Sequence, residues 1–127
     1  MKVVDASAFI EVLARTDKAA VLEALLDDEL FAPDLLVAEV THYLRYELRG
    51  GRLTARHADA AMDAFMQADI EYLHTWPLTT RMWALRQNVS AYDACYLAMA
   101  ESLGAPLLTT DARLAGIPGL RAQVIVV

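Results

Sequence analysis

The chain opens on Lys2-Val3-Val4-Asp5-Ala6-Ser7, a run of β-branched apolar residues that stops on an acid. So short a run reads as a buried strand, and Ala6 to Ala14 then carries a helical pattern. Asp5 is thereby expected at the carboxyl end of a strand feeding a helix. In open α/β sheets that edge is where ligands bind. A carboxylate withdrawn from water there needs compensation, and Asp5, flanked by Val4 and Ala6, has few partners nearby in sequence. What the rest of the chain brings to the same edge therefore constrains both fold and function.

The remaining pattern alternates strands with helices. Lys18 to Asp28 reads as a short amphipathic helix with Val21, Leu22, Leu25 and Leu26 on one face. Leu30-Phe31-Ala32 is a short strand closed by Pro33. Pro33-Asp34 suits a helix start, and Leu36, Val37, Val40, Leu44 and Leu48 continue the apolar stripe until Gly50-Gly51 ends it. Thr54 is placed to cap a helix containing Ala58, Ala61, Met62 and Phe65. Ile70 to Trp76 reads as a strand stopped by Pro77, and Leu78 to Asn88 as a helix. Ser90 opens the most apolar helix, Tyr92 to Leu103, ended by Gly104 and Pro106. Leu107-Leu108-Thr109 is a strand leading to Asp111, Ala112 to Ala115 one helical turn, and Gln123 to Val127 a last strand. Such alternation predicts one α/β domain over residues 1–127, built on a parallel sheet whose strand order the pattern leaves open.

Composition removes several function classes. No apolar run in the 127 residues is long enough to span a bilayer, and the start lacks signal-peptide architecture, so a cytosolic protein is the expectation. Cys95 is the single cysteine, which excludes an internal disulfide and a thiolate cluster; mid-helix among apolar residues it should be inert. The net charge of −6 argues against broad electrostatic binding of nucleic acid. Arg45, Arg49, Arg52 and Arg56 nevertheless recur every three to four residues, either as a solvated face or as a phosphate-contacting stripe.

Four acids stand in apolar contexts: Asp5, Glu39 within Leu36-Val37-Ala38-Glu39-Val40, Asp93 within Tyr92-Asp93-Ala94-Cys95, and Asp111 after Leu107-Leu108-Thr109-Thr110. Two fall at strand ends and two in the first turns of helices, which share one edge of a parallel sheet. Each has a local alternative. Ser90-x-x-Asp93 fits a capping box, Asp111 could cap the turn at Ala112, and Glu39 could sit favourably at a helix N-terminus. Together, several carboxylates repel unless a cation sits among them. An oxygen-only set suits Mg²⁺ or Mn²⁺, and such an ion can activate water against a phosphodiester. Ser7, Thr109 and Thr110 are candidates to orient the carboxylates or their waters. No glycine-rich phosphate loop and no G-x-S-x-G elbow competes. Glu39-x-x-His42 resembles half of a di-iron motif without its second copy, and His57 and His74 read as surface or structural.

In order and spacing these acids resemble the PIN-domain family, most closely its VapC-type toxins. The resemblance rests on Val4-Asp5-Ala6-Ser7, Pro33-x-x-Leu36-x-x-Glu39-Val40, Tyr92-Asp93-Ala94-x-Tyr96-Leu97-Ala98 and Leu108-Thr109-x-Asp111-x-x-Leu114. It implies a three-layer α/β/α domain and a Mg²⁺- or Mn²⁺-dependent endoribonuclease with Asp5, Glu39, Asp93 and Asp111 around the metal. It further implies a homodimer restrained by a small VapB-type antitoxin. His42 stands where relatives commonly carry Asn, either reaching the site or simply tolerated there. The alternatives are a non-catalytic PIN-like interaction module and a phosphate-accepting receiver domain. The receiver would want a late lysine, and none follows Lys18.

Overall fold

A computed structural model describes residues 1–26 and 28–127. Among these, five strands and six helices alternate: β1 (Lys2–Val4), α1 (Ala6–Leu13), α2 (Ala19–Leu25), β2 (Leu30–Pro33), α3 (Leu35–Arg49), α4 (Ala55–Gln67), β3 (Ile70–Leu73), α5 (Thr79–Ala84), α6 (Ala91–Leu103), β4 (Leu107–Thr109) and β5 (Val124–Val126). Short 3₁₀ turns cover Trp76–Leu78 and Ala112–Gly116. Asp27, inside the stretch read as an amphipathic helix, lies outside the described residues.

The strands form one parallel sheet in the order β3-β2-β1-β4-β5. The chain moves outward from β1 through β2 to β3, then returns to the other side of β1 for β4. Right-handed crossovers running in opposite directions place their helices on opposite faces of the sheet. The packing agrees: α1 contacts α2, α3 and α4, while α5 contacts α6. The result is the expected three-layer α/β/α arrangement. The order reverses between β1 and β4, so the crevice beyond their carboxyl ends is the natural ligand site.

Helix α6 is buried continuously from Ala94 to Ala100, as a helix apolar on all sides must be. It packs on β1, β2 and β4. Ser90 Oγ accepts from the Asp93 N–H at 3.1 Å, and Gly104 closes the helix in the left-handed conformation at φ 61°. Thr54 caps α4 through the His57 N–H.

Several boundaries depart from the sequence reading. The strand expected to reach Trp76 ends at Leu73, because its neighbour β2 offers partners only as far as Pro33. The helix expected over Leu78 to Asn88 is cut to Thr79–Ala84, with turns following. Val21, Val37 and Leu48, assigned to buried stripes, are exposed. The sheet reaches only the centre of the α3 stripe, burying Leu36, Val40 and Leu44.

Candidate metal centre

Asp5 leaves β1 as the N-cap of α1, in an extended conformation that aims its carboxylate beyond the sheet edge. Few partners nearby in sequence were expected, yet two of its three donors, Ser7 and Ala8, lie within three residues. Its Oδ1 accepts from the Ala8 N–H at 2.9 Å and from Ser7 Oγ at 2.7 Å, and its Oδ2 accepts from Thr109 Oγ1 at 2.5 Å. Ser7 and Thr109 approach each other at 3.3 Å. Thr109 Oγ1 also accepts from the Asp111 N–H, and Ser7 Oγ from the Thr110 N–H. Ser7 and Thr109 thus hydrogen-bond the carboxylate through their side chains, whereas Thr110 takes part through its backbone. Asp5 is 6% exposed. Burial pushes its carboxyl above the usual range against these three donors, and the neighbouring Asp93 adds to the rise.

Glu39 projects from the second turn of α3 and is half-buried. Its Oε1 accepts from the Tyr96 hydroxyl at 3.2 Å. Burial raises this carboxyl too, opposed by the Tyr96 bond and reinforced by Asp5 and Asp93. Asp93 sits in the first turn of α6. Its N–H uses the Ser90 cap, but the reciprocal bond of a capping box, from the Asp93 carboxylate back to Ser90, is absent among the described residues. The carboxylate is thus left for the site. Asp5, Glu39 and Asp93 lie within one another's fields.

Asp111 behaves differently. Its Oδ1 caps the 3₁₀ turn through the Arg113 N–H, and the Arg113 guanidinium grips both carboxylate oxygens at 2.6–3.2 Å. That side-chain pairing holds its carboxyl below the usual range. The Asp111 pairing, and more weakly the field of Asp93, raise the Arg113 guanidinium in turn. The structure thus puts Asp5, Glu39 and Asp93 within electrostatic reach of one another and pairs the Asp111 carboxylate with Arg113.

The donors suit a hard divalent cation. They are all oxygen, and two of the three grouped carboxyls carry a burial and repulsion cost that a cation would relieve. As the side chains stand, no three His, Cys, Asp or Glu residues among those described close on one point. Mg²⁺ ordinarily takes one or two carboxylates directly and keeps several waters, so it does not need every one of these acids as a ligand.

Most of the other expected residues are exposed. His42 is exposed, one turn beyond Glu39 on α3, and lines a groove with it. Arg45, Arg49, Arg52 and Arg56 are all exposed. Arg52 is engaged locally, donating to Glu47 Oε2 at 3.0 Å and lying 4.7 Å over the Tyr46 ring. His74 bonds Asp34 at the surface and His57 is exposed. Cys95 is buried with its thiol pushed up by burial, as an inert core cysteine should be. Sequence reasoning missed two residues. Tyr96 carried a readable signal, a hydroxyl inside the most buried helix that requires a partner. Arg113, two residues beyond Asp111, carried none beyond its charge.

Comparison with known proteins shows the family. The PIN domain profile matches residues 2–120, and the chain belongs to that family. Its curated relatives include Ribonuclease VapC1 of Mycobacterium tuberculosis, 43% identical over 96% of this chain and 94% of the relative. Ribonuclease VapC3 of the same species is 38% identical over 89% and 84%. Among solved structures, VapBC2 of Rickettsia felis, bound to a DNA fragment from its promoter, matches with a TM-score of 0.70. It shares 15% identity over 97% of each chain. PAE2754 of Pyrobaculum aerophilum gives 0.67 at 26% identity, over 97% of this chain and 81% of the other.

Proposed function

We propose that the protein is a VapC-type endoribonuclease that hydrolyses RNA phosphodiester bonds with the help of Mg²⁺ or Mn²⁺. The observation that supports this reading best is Asp5, buried at the reversal point of the sheet and sharing an electrostatic field with Glu39 and Asp93. These three carboxylates would hold the cation, with Asp111 joining them when released from Arg113. Bound there, the ion supplies Lewis-acid chemistry that activates a water and neutralises charge at the leaving oxygen.

The chain's own contribution is preorganisation. Ser7, Thr109 and the Ala8 N–H hold the Asp5 carboxylate in one orientation, and Tyr96 fixes one oxygen of Glu39. Carboxylates locked in this way lose little freedom when a cation and a phosphate arrive. Water attacks phosphorus in line, the P–O3′ bond breaks, and the products are a 5′-phosphate and a 3′-hydroxyl.

The same reading calls for a small VapB-type antitoxin and a homodimer. Trp76 and Trp83 are exposed large apolar residues available to such contacts. No helix among the described residues is long and apolar enough to cross a membrane.

The test incubates purified protein with unpaired and structured RNAs in Mg²⁺, Mn²⁺ or EDTA and identifies the product ends. Cleavage restricted to the metal-containing reactions, with 5′-phosphate ends, is the expected result. Products ending in 2′,3′-cyclic phosphate, or full activity in EDTA, would overturn the metal mechanism. A purified protein that cuts none of these RNAs would favour the non-catalytic interaction module.

A further inference from the structure

Beside the acids lies an open groove of about 670 Å³, lined by Ile10 and Leu35 with Glu39, His42, Tyr43, Tyr46 and Tyr92. It runs along one face of α3, where residues spaced three or four apart point the same way: Glu39, His42, Tyr43 and Tyr46. The next position on that face is Arg49. At about 1.5 Å per residue, Tyr46 stands roughly 10 Å along the helix from Glu39. The groove therefore starts at an acid of the candidate metal centre and reaches Tyr46, one helical turn before Arg49. Its tyrosines are unusually open, with Tyr46 61% and Tyr92 65% exposed. Arg52 lies over one face of the Tyr46 ring, which nevertheless stays largely exposed.

We propose that this groove is a nucleobase-stacking subsite for an unpaired RNA strand, with Tyr46 and Tyr92 as its stacking platforms. The proposal rests on the ribonuclease reading and adds what that reading lacks, a means of holding the substrate on an acidic protein. The groove's walls are apolar and aromatic, which suits uncharged bases and not phosphates. The phosphates of the same strand are left to the metal centre at one end and to Arg45 and Arg49 at the other. Stacking on aromatic faces accepts every base, so it selects unpaired RNA over duplex without reading sequence. The continuity of acids, aromatic groove and arginines on one helix favours a nucleic-acid strand over a protein segment as the occupant.

The experiment compares wild type with Tyr46→Ala, Tyr92→Ala, Tyr46→Phe and Tyr92→Phe. The first measurement is anisotropy of a labelled single-stranded oligonucleotide carrying non-cleavable linkages, in Mn²⁺. The second is the cleavage of normal RNA and of the same RNA with abasic sites beside the scissile bond. Both tyrosines are exposed, so matching melting curves establish that the variants fold. Each alanine variant is expected to bind about tenfold more weakly, with the loss in KM and not in kcat. The phenylalanine variants should bind like wild type, and abasic RNA should erase the difference between alanine variant and wild type. If wild type cleaves RNA while the alanine variants match it in KM and affinity, the subsite is overturned and the groove belongs to a protein partner. If wild type neither binds nor cleaves RNA, the ribonuclease reading fails and the subsite fails with it.

Discussion

The Tyr96 hydroxyl donates to Glu39 Oε1 at 3.2 Å, joining the most buried helix to an acid 57 residues earlier in the chain. Tyr96 is only 2% exposed, so its ring belongs to the core while its hydroxyl reaches the site. Burial and the adjacent carboxylate together push the phenol well above its usual range, which keeps it a donor throughout the working pH range.

Tyr96→Phe should separate these two roles. The ring remains, so the variant should lose no more than about 3 kcal/mol, the upper worth of a hydrogen bond to a charged group. Glu39 loses its fixed orientation, and cleavage should fall further than stability does. Chemical denaturation beside a cleavage assay decides it, and unchanged activity would remove Tyr96 from the site.

The raised carboxyls of Asp5 and Glu39 make a signed pH prediction. A carboxyl that binds its proton more tightly in the folded state favours folding fully below its unfolded value, here 3.8 for Asp5 and 4.5 for Glu39. That contribution is lost as pH rises through the folded value. Glu101 and Asp111, held low by Arg81 and Arg113, act oppositely: their contribution is present above their ordinary values and lost as pH falls. Without metal, Glu39→Gln should therefore gain on wild type as pH climbs from acid to neutral. Mn²⁺ should shrink that gain. Urea melts across the pH series provide the measurement, and parallel curves would show that Glu39 carries no such cost.

At the start of α6 the cap and the charge reside on different residues. Ser90→Ala removes the cap and should cost about 1 kcal/mol whether or not metal is present. Asp93→Asn removes a carboxylate that repels Asp5 and Glu39, so without metal its stability should equal or exceed wild type. Its stabilisation by Mn²⁺ should fall, since a ligand stabilises only as far as the native state binds it. Thermal melts with and without Mn²⁺ test this. An Asp93→Asn protein that keeps its full metal response and its cleavage would end the assignment of Asp93 to the metal.

The exposed arginines predict a salt effect. Replacing Arg45 and Arg49 by Ala should weaken RNA binding and flatten its dependence on salt, by about 0.7 in the log–log slope for each phosphate that is no longer neutralised. Arg52, already held by Glu47 and the Tyr46 ring, should change the slope less. Binding titrations across salt concentrations measure it, and an unchanged slope for the Arg45 and Arg49 variant would mean a solvated face.

Most of the α/β pattern was legible because it depends on local periodicity. Val3-Val4, Leu30 to Ala32 and Leu107-Leu108 announce buried strands, and the unbroken apolar run after Ser90 announces a helix enclosed on all sides. The acids were legible for a related reason: a carboxylate inside an apolar run is costly and so conspicuous. Boundaries set by neighbours were not legible. Leu73 ends β3 because β2 ends at Pro33, a fact about a partner and not about residues 74 to 76.

The sequence by itself determined where each acid falls relative to its own strand or helix, since that follows from residues a few positions away. Only the tertiary structure decided which acids meet. The order β3-β2-β1-β4-β5 brings Thr109 to Asp5 across 104 residues, and α6 packed on β1 and β2 brings Tyr96 to Glu39. The Asp111 carboxylate, by contrast, is held by Arg113, only two residues away. Long-range pairings of this kind arise from burying sheet and helix faces together, a requirement met by many residues at once and encoded in none of them singly.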